Sequence, residues 1–434
     1  MPRRVAITGL GLMDPFEGLA PPAVPLAGDE NLSASRRFFE RVAAGQSALR
    51  LYTTDDIPRP IAVPAVRCAG FSAEARLGRA LAGMMERFAQ LGLAAARDAW
   101  ADAGLHKLAG DAAAGAGVAW GTALGGLMAF ERGYRDFWQH GRERVPPMSV
   151  VLGMNNAAAA HISIQLGLGN SALTYSVACA SAACAIGEAF RHIRAGRAQI
   201  MVAGGSDATL AYAVVRAWEA LRVLAPGDAQ SAPSACRPFH PKRAGLVLGE
   251  GAAALVLEDW EHAVRRGAVI YAELAGYGAN ADHAHLVRPN EAGQTLALQA
   301  ALDDAGLQAA DIGYVNAHGT ATREGDPIEI AALRGVFGPH AEALPVSATK
   351  AAHGHMMGAT GAVEALLTVL ALHTDVLPPT AHLDAVDPAC QGVRHIQGQA
   401  LRHSGARAAL SNSFAFGGSN AVLAFKAARP PQPR

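Results

Sequence analysis

The chain has 434 residues, with 37 basic and 37 acidic side chains, a formal net charge of zero and a hydrophobic content of 51%. This balance argues against a nucleic-acid-binding protein, whose binding domains are usually visibly basic. The high apolar content and the charged content of only 17% exclude disorder over most of the chain. At roughly 100–200 residues per domain, the length allows two or three domains or one large duplicated domain.

The five cysteines form no motif for a metal or for a disulfide framework. They are odd in number and widely spaced, and no CxxC pair occurs, which indicates a protein of a reducing compartment. The first apolar run ends at Asp14 and Pro15, too early for a signal peptide. The longest apolar stretches, such as 365–373, fall below the ~20 residues that span a bilayer. We therefore expect a cytoplasmic protein with neither a membrane nor a nucleic-acid partner.

Short apolar strands that enter glycine turns alternate with helices along the chain. Arg4–Gly9 and Gly117–Thr122 are two such strands, and 15–34 has the composition of a loop. Leu81–Ala103 has the pattern of a helix, and Gly104 is placed to end it. This alternation predicts an α/β fold with a largely parallel sheet.

Four later strands lead into polar or reactive residues. Because open α/β sheets place their sites at the carboxyl ends of strands, these residues are expected to belong to a site. The first strand, 173–177, precedes Cys179 and a helix that runs to about Arg194, and the second, 312–315, precedes His318. The third, 344–346, precedes Lys350, His355 and a helix at 361–373. The fourth, 408–410, precedes the glycine-rich segment 412–420.

The order of strands and helices before residue 262 is weakly similar to the order after it. This similarity suggests an internal duplication. We expect an N-terminal half, 1–262, that carries the cysteine, and a C-terminal half, 263–428, that carries the two histidines and the lysine.

Cys179 is the candidate nucleophile. It opens a helix whose first turn holds only small residues, and the positive end of a helix lowers the pKa of a thiol. On local sequence alone, a small buried hydrophobic residue is an equally good interpretation of Cys179. Cys184, five residues later, fits packing better.

His318 and His355 strengthen the case for a site. Each follows a β-prone run and stands beside a glycine, and the helix after His355 favours a neutral imidazole that donates a hydrogen bond. Either histidine alone is more often a satisfied polar residue than a catalyst. Together with Cys179 they form a plausible acyl-transfer site. Lys350 and Glu329 are a candidate ion pair beside it, with an ordinary surface pair as the alternative.

Five motifs follow one another along the chain: ACASA at 178–182, RPF at 237–239 with LGEG at 248–251, NAHGT at 316–320, Lys350 with Gly354–His355, and the segment 412–420. In order and spacing they resemble those of β-ketoacyl-acyl-carrier-protein synthases, and the similarity runs from Arg3 to Lys426. Two histidines imply the elongating type. The resemblance implies a duplicated thiolase-like fold with five layers, α-β-α-β-α, and an acyltransferase without a metal or cofactor.

The resemblance also implies a decarboxylative Claisen condensation in fatty-acid or in specialised polyketide or polyene synthesis. Cys179 would hold an acyl chain delivered by an acyl-carrier protein. His318 and His355 would bind the thioester carbonyl of malonyl-carrier protein and stabilise its enolate through neutral N–H groups. The backbone N–H groups of Cys179 and Phe416 would form the oxyanion hole. Phe416 would also be a gate that separates the state that accepts the acyl group from the state that binds malonyl-carrier protein.

Other residues match family positions. Lys350 and Glu329 would orient and tune the histidines, and Asp326 would be structural. The implied assembly is a homodimer, or a heterodimer with a second ketosynthase-like subunit. The residues implied to contact substrate are Thr320 and Thr322 at the pantetheine arm, Leu124 in the acyl tunnel, and Phe414 in the loop before the gate.

Some positions depart from the family pattern. Val287 replaces a threonine that contacts pantetheine, and Ala415 replaces the glycine before the gating phenylalanine, which should stiffen the gate. The proline-rich stretch at 15–32 looks longer than usual. These departures question a housekeeping role and leave the chemistry of the site intact.

The carrier protein of the family is acidic, so a basic docking patch is expected. Two clusters are candidates, and a solvated face is at least as good an interpretation of each: Arg191, Arg194 and Arg197, and Arg237, Lys242 and Arg243.

Two other functions stay open. A chain-length-factor-like subunit does no condensation, but it usually lacks the nucleophilic cysteine, which Cys179 supplies here. A degradative thiolase would need a second cysteine in the C-terminal glycine-rich loop, where this chain has Phe416, and Cys390 lies outside that loop.

Overall fold

The computed structural model describes residues 2–19, 33–54, 59–106, 108 and 110–428. Most of the predicted proline-rich loop, 20–32, lies outside the described residues. The strands are β1 Val5–Leu12, β2 Arg50–Thr53, β3 Ala62–Val66, β4 Gly117–Gly121, β5 Ala172–Tyr175, β6 Ile200–Asp207, β7 Leu248–Gly249, β8 Gly251–Asp259, β9 Ala272–Ala281, β10 Ile312–Asn316, β11 Pro345–Ser347, β12 Val376–Leu377, β13 Arg394–His395, β14 Leu401–Arg402, β15 Ala408–Phe414 and β16 Ser419–Ala427.

Helices occupy most of the connections between these strands. The α-helices are α1 Ala34–Ala43, α2 Ala73–Leu77, α3 Arg79–Ala82, α4 Arg87–Asp102, α5 Asp111–Ala114, α6 Leu127–Trp138, α7 Ser149–Gly153, α8 Ala157–Leu166, α9 Ser181–Arg194, α10 Tyr212–Ala220, α11 Trp260–Arg265, α12 Glu291–Ala305, α13 Gly325–Phe337, α14 Lys350–His353 and α15 Thr360–Thr374.

The two halves of the chain repeat one strand order. The order β5-β4-β6-β8-β1 in the first half corresponds to β11-β10-β15-β16-β9 in the second. In each set the first three strands are parallel and the last two are antiparallel to their neighbours. Strands β1 and β9 pair over three residues and join the sets into one sheet. The suspected duplication is therefore confirmed.

The sheet is mixed, so the prediction of a largely parallel sheet is wrong for its centre. Strands β1, β8, β9 and β16 pair antiparallel. The connection from β15 to β16 is only 415–418, and such a short connection can join antiparallel strands but not parallel ones.

The layers follow the predicted α-β-α-β-α order. Helices α9 and α15 contact each other and strands of both sets, and form the central layer. Helices α4 and α8 pack together on the first set, and α12 and α13 on the second. Within the described ranges, the segment Met357–Thr374 is long and apolar enough to cross a membrane, but 89% of it is buried inside the protein, as in a core helix.

The helix bounds agree closely with the sequence patterns. Helix α9 ends at Arg194, as expected, and the predicted helix at 81–103 is divided into α3 and α4. The side chain of Glu86 caps the start of α4 by accepting a hydrogen bond from the backbone N–H of Arg87. The division of the chain after residue 262 stays a prediction, and it falls inside α11.

Helices α9 and α15 begin in the same way. A 3-10 turn precedes each helix, Ala178–Ala180 before α9 and Met357–Ala359 before α15. The first residue of each turn has a positive φ, 45° at Ala178 and 46° at Met357. Cys179 and Gly358 therefore occupy equivalent positions in the two halves.

Candidate active site

A cavity of about 580 Å³ has Cys179, His318 and His355 in its wall. The Cys179 Sγ lies 3.0 Å from the Nε2 of His355. The His318 and His355 rings are 5.5 Å apart and nearly perpendicular, at 85°. The Sγ of Cys179 and one ring nitrogen of each histidine all lie within 4.8 Å of one another. The structure thus brings together the three residues that the motifs predicted.

The thiol of Cys179 is almost completely buried, with an exposed fraction of 6%. Burial raises the pKa of Cys179 to about 11, although Lys350 and the backbone N–H groups of Phe416 and Cys179 favour the thiolate. The predicted lowering of this pKa by the helix terminus is therefore wrong for the resting enzyme, because desolvation outweighs the helix end. The resting nucleophile is a neutral thiol.

Both histidines are neutral, as predicted. Burial lowers the pKa of His318 and of His355 well below the usual value, and the Lys350 ammonium lowers both further. The Lys350 Nζ lies 3.2 Å from the Nδ1 of His318. Since an ammonium group can only donate, Nδ1 accepts and the ring proton of His318 is on Nε2.

The ring of His355 also makes a hydrogen bond through Nδ1, the nitrogen that faces away from Cys179. Its Nδ1 lies 2.9 Å from the Oγ1 of Thr360 at the start of α15. A threonine hydroxyl can donate or accept a hydrogen bond, so Thr360 is compatible with a proton on either ring nitrogen. His355 can therefore accept a proton at Nε2 or donate from it.

Lys350 is paired with Glu364 rather than with Glu329, so the predicted ion pair is wrong. The Lys350 Nζ lies 2.6 Å from Glu364 Oε1, and both side chains are fully buried. The Nζ also donates to the backbone carbonyl of His318. Burial raises the pKa of Glu364 to about 7, and Lys350 opposes that rise. The signal for Glu364 in the sequence was a lone acidic residue inside an apolar helix, which requires a partner.

Glu329 holds the loop that carries His318. Its carboxylate accepts the backbone N–H groups of His318 and Gly319, each at 2.8 Å, and the Nδ2 of Asn412 at 3.0 Å. Asp326, in the same helix α13, accepts the N–H of Phe239 at 2.8 Å. Neither carboxylate is the partner of Lys350, and both order the backbone around the site.

The predicted substrate contacts divide into two groups. Thr320, Thr322 and Phe414 line the cavity, and the Thr320 and Thr322 hydroxyls are 3.0 Å apart. The Phe414 ring lies 6.1 Å from that of His318. Leu124 is not in the lining of this cavity, and its backbone N–H instead donates to Asp207.

Phe416 lines the cavity and stacks on Trp218, with ring centroids 5.7 Å apart. The two glycines after it have φ of 90° and 74°, which glycine adopts at little cost. The N–H of Gly417 donates to the carbonyl of Leu286 at 2.6 Å. Ala415 has an ordinary negative φ, so the alanine fits its backbone without strain.

Four arginines of the two predicted docking clusters form ion pairs, whereas Arg197 and Lys242 are exposed and make no ion pair among the described residues. Arg191 pairs with Glu188, and Arg194 pairs with Asp304. In the second cluster Arg237 pairs with Asp384, and Arg243 is buried and pairs with Asp387. Arg243 also donates to the backbone of the loop that carries Thr322.

Three exposed arginines line the cavity instead. Across the ranges that the structure describes, their guanidinium groups make no ion pair. Glu324 is the exposed acidic residue in the same lining. No sequence pattern indicated this arrangement, because the three residues are far apart in the chain: Arg222, Arg288 and Arg323.

The family models cover most of the chain. The β-ketoacyl synthase N-terminal domain matches residues 3–263, and the C-terminal domain matches residues 271–384. The chain belongs to the β-ketoacyl synthase family. It is a ketosynthase, an acyltransferase that catalyses a condensation.

Two curated relatives support this assignment. Nodulation protein E of Rhizobium sp. (strain N33) is 44% identical over 342 residues, which cover 79% of this chain and 83% of the relative. The 3-oxoacyl-(acyl-carrier-protein) synthase 2 of Staphylococcus aureus (strain N315) is 35% identical over 426 residues, 98% of each chain.

Solved ketosynthases share the fold along the whole chain. One is the ketosynthase of AntDE:AntF, a type II polyketide acyl-carrier protein in complex with its ketosynthase bound to the hexaketide. It has a TM-score of 0.85, 28% identity and coverage of 99% of this chain and 100% of that one. Another is the ishigamide ketosynthase/chain length factor, with a TM-score of 0.86, 30% identity and the same coverage.

The thiolase alternative finds no support in the site. Cys179 is the one cysteine in the lining of the cavity as the structure describes it. Cys390 is fully buried in the core of the second half. All five cysteines are free thiols, as the sequence predicted.

Proposed function

We propose that this ketosynthase joins an acyl group held on Cys179 to malonyl-acyl-carrier protein, and that the product is β-ketoacyl-acyl-carrier protein. The observation that supports it most is the convergence of one thiol and two neutral imidazoles in a single cavity. Two N–H donors and a nucleophile at this separation suit a carbonyl that develops negative charge.

The first step is transfer of the acyl group to Cys179. The His355 Nε2, 3.0 Å from the sulfur, accepts the thiol proton as the sulfur attacks the thioester carbonyl. The backbone N–H groups of Cys179 and Phe416 stabilise the oxyanion of the tetrahedral intermediate. When that intermediate collapses, the carrier thiolate leaves and takes up the proton.

The second step is decarboxylation of the malonyl group. Before this step the His355 proton moves from Nδ1 to Nε2, the other tautomer that the Thr360 hydroxyl accommodates. The malonyl thioester carbonyl then accepts hydrogen bonds from the Nε2–H of His318 and of His355. The bond to the carboxylate breaks, carbon dioxide leaves, and the electron pair forms an enolate that the two N–H groups stabilise. The enolate carbon then attacks the acyl carbonyl on Cys179, the carbon–sulfur bond breaks, and the Cys179 thiolate takes up a proton from solvent.

Lys350 and Glu329 act through His318. Lys350 fixes the proton of His318 on Nε2, so the ring presents a donor to the cavity. Glu329 fixes the backbone of the same residue. We assign both as positioning residues rather than as groups that exchange protons with substrate.

Phe416 separates the two steps. Its ring lies in the cavity wall against Trp218, and the glycines after it allow the loop to move. Thr320 and Thr322 present hydroxyl groups to the pantetheine arm in the same cavity. Phe414 packs beside His318, and Leu124 belongs to the acyl-binding side of Cys179.

The carrier protein docks at the entrance of the cavity. The neighbour AntDE:AntF is a ketosynthase in complex with its acyl-carrier protein. In this chain the exposed guanidinium groups of Arg222, Arg288 and Arg323 are suited to an acidic carrier and to the phosphate of its prosthetic group.

The assembly is a dimer, either of two copies or of this catalytic chain with a second ketosynthase-like subunit, as in the ishigamide ketosynthase/chain length factor. Strand β5 is at the edge of the sheet. Near it in the chain are exposed apolar side chains, which suit a protein partner: Tyr134, Phe137, Trp138, Val150, Val151, Ile164 and Leu173.

We place the enzyme in the cytoplasm and in a specialised pathway. Of the two curated relatives above, nodulation protein E has the higher identity. Val287 and Ala415 both border the cavity at positions where the sequence departs from the elongating synthases.

A single-turnover assay tests the chemistry. Acyl-enzyme is mixed with malonyl-carrier protein, and β-ketoacyl-carrier protein is measured by mass spectrometry. We expect product from the wild type and about a 100-fold or greater loss in His318→Ala, which removes one oxyanion donor. Wild-type yield from His318→Ala would contradict the proposed role of this histidine.

The same assay separates the alternative, a chain-length-factor-like subunit. Such a subunit would give no product alone and would change the chain length made by a partner ketosynthase. The presence of Cys179, His318 and His355 in one cavity, with Lys350 in contact with His318 behind it, favours the catalytic role.

A further inference from the structure

Asp207 is a buried carboxylate near the site that none of the roles above uses. It ends strand β6 and is fully buried. Its carboxylate accepts four hydrogen bonds, which come from Thr122 Oγ1 at 2.8 Å, Leu124 N–H at 3.1 Å, Ala123 N–H at 2.8 Å and Gly358 N–H at 2.6 Å.

The hydrogen bond from Gly358 connects Asp207 with the loop of His355. Gly358 is in the 3-10 turn that starts at Met357, whose φ of 46° is unusual for a residue with a side chain. Such a conformation is strained and persists only when its surroundings hold it. The carboxylate of Asp207 is one of the groups that hold this turn.

The turn determines where His355 points. It leads directly into Thr360, whose hydroxyl is 2.9 Å from the Nδ1 of His355. The backbone of His355 is separately fixed by Val247 and Gly249 of the first half. With the backbone fixed, the ring orientation depends on Thr360 and therefore on the turn that contacts Asp207.

Asp207 also joins the two halves of the chain at the site. Three of its hydrogen bonds come from the turn at 122–124 in the first half, and the fourth comes from Gly358 in the second. The contact is close, because a Cβ on Gly358 would lie 2.3 Å from the Ala123 nitrogen. There is no room for a side chain at position 358.

We propose that Asp207 is a positioning residue for the condensation: its carboxylate fixes the turn that orients His355 toward Cys179. This inference rests on the proposed role of Cys179 as nucleophile. Burial raises the pKa of Asp207 to about 6, and its hydrogen bonds lower it, so the group is a carboxylate at neutral pH.

The groups that act on the thiol have opposite effects. The Lys350 ammonium lowers the pKa of Cys179, whereas Asp207 raises it. His318 and His355 are neutral neighbours. If Asp207 loses its charge, the pKa of Cys179 should therefore fall, and the thiol should react at lower pH.

Asp207→Asn removes the charge and presents an NH₂ group where two N–H donors now bind. The control Thr122→Val removes the hydrogen bond to Asp207, together with the one that Thr122 Oγ1 accepts from the N–H of Gly125, and keeps the charge. The measurements are the rate of Cys179 alkylation by iodoacetamide against pH, read on the Cys179 peptide, and single-turnover condensation.

For Asp207→Asn we expect an alkylation profile displaced to lower pH and a condensation rate about 10- to 100-fold lower, because the histidine is misplaced. Thr122→Val should keep the wild-type alkylation profile, and its condensation rate should fall less than that of Asp207→Asn. A folded Asp207→Asn variant with wild-type profile and rate would overturn the proposal.

If Asp207→Asn does not fold, Thr360→Val decides, because it removes the hydroxyl through which the turn orients His355. A wild-type condensation rate in that variant would overturn the proposal. Alkylation needs no carrier protein. Failure of the wild type to form acyl-enzyme would therefore contradict the proposed function, while the alkylation profiles would still test the inference about Asp207.

Discussion

The turns that open α9 and α15 have the same backbone form but opposite chemistry. One turn presents the thiol of Cys179 to the cavity, and the other has Gly358 at the equivalent position. Cys179 accepts a backbone N–H from Phe416 of the second half, whereas the N–H of Gly358 donates to Asp207 of the first half. The turn in each half is therefore hydrogen-bonded to a residue of the other half.

The difference shows how a duplicated fold can yield a single site. The first half supplies the nucleophile, and the second half supplies both imidazoles and the buried pair Lys350–Glu364. Gly358 has no side chain because a Cβ there would meet the backbone at Ala123 and the carboxylate of Asp207. The second turn can therefore support His355 but cannot itself carry a reactive group.

The largest effect is expected at the buried pair of the second half. Lys350→Met leaves the Glu364 carboxylate uncompensated, so unfolding free energy should fall by about 3–5 kcal/mol in urea titrations. Condensation should be lost as well, because His318 loses the donor that sets its tautomer.

The control is the double variant Lys350→Met with Glu364→Leu, which replaces the pair by apolar side chains. It should regain much of the stability without regaining activity. Activity restored along with stability would mean that Lys350 serves the fold alone.

The next effect compares the two equivalent turns directly. Gly358→Ala introduces a methyl group 2.3 Å from the Ala123 nitrogen, and such overpacking typically costs about 1–3 kcal/mol. Cys179→Ala removes one atom and adds no contact, so its stability should stay close to that of the wild type. Thermal unfolding of both variants measures the difference, and equal melting temperatures would refute the asymmetry of the turns.

A smaller effect concerns how the reactivity of the Cys179 thiol depends on pH. Because the folded pKa of Cys179 is raised to about 11, the thiolate fraction should increase steadily from pH 7 to 10. Alkylation of Cys179 should therefore show no plateau in that interval. A plateau below pH 9 would place the thiol in the activated state that the helix terminus alone suggests.

The smallest effect is expected at the gate. Ala415→Gly gives the backbone more freedom before Phe416, worth about 0.5–1 kcal/mol, and should change the rate of acyl transfer or condensation by roughly two- to fivefold. Stopped-flow measurements of both steps test this. If neither rate changes, Ala415 does not stiffen the gate.

Much of this arrangement could be predicted from the sequence. The motifs around Cys179, His318, Lys350 and His355 each follow a strand, so their convergence followed from the fold class. The neutral state of the histidines was also predicted, although its main cause is burial rather than the helix that follows His355.

The parts that could not be predicted depend on packing in three dimensions. Glu329 and Glu364 are both buried acidic residues, and only the structure shows which one reaches Lys350. The pKa of Cys179 depends on how completely neighbouring elements exclude water. The cavity arginines and the contacts of Asp207 join segments that no local pattern connects.

Intact-mass spectrometry of the enzyme after incubation with a panel of acyl-carrier proteins tests the central claim most directly. Our account predicts that the wild type gains the mass of one acyl group and that Cys179→Ala gains none. The favoured chain would then indicate the pathway. No adduct from any carrier, or an equal adduct on Cys179→Ala, would contradict the assignment of Cys179 as the nucleophile.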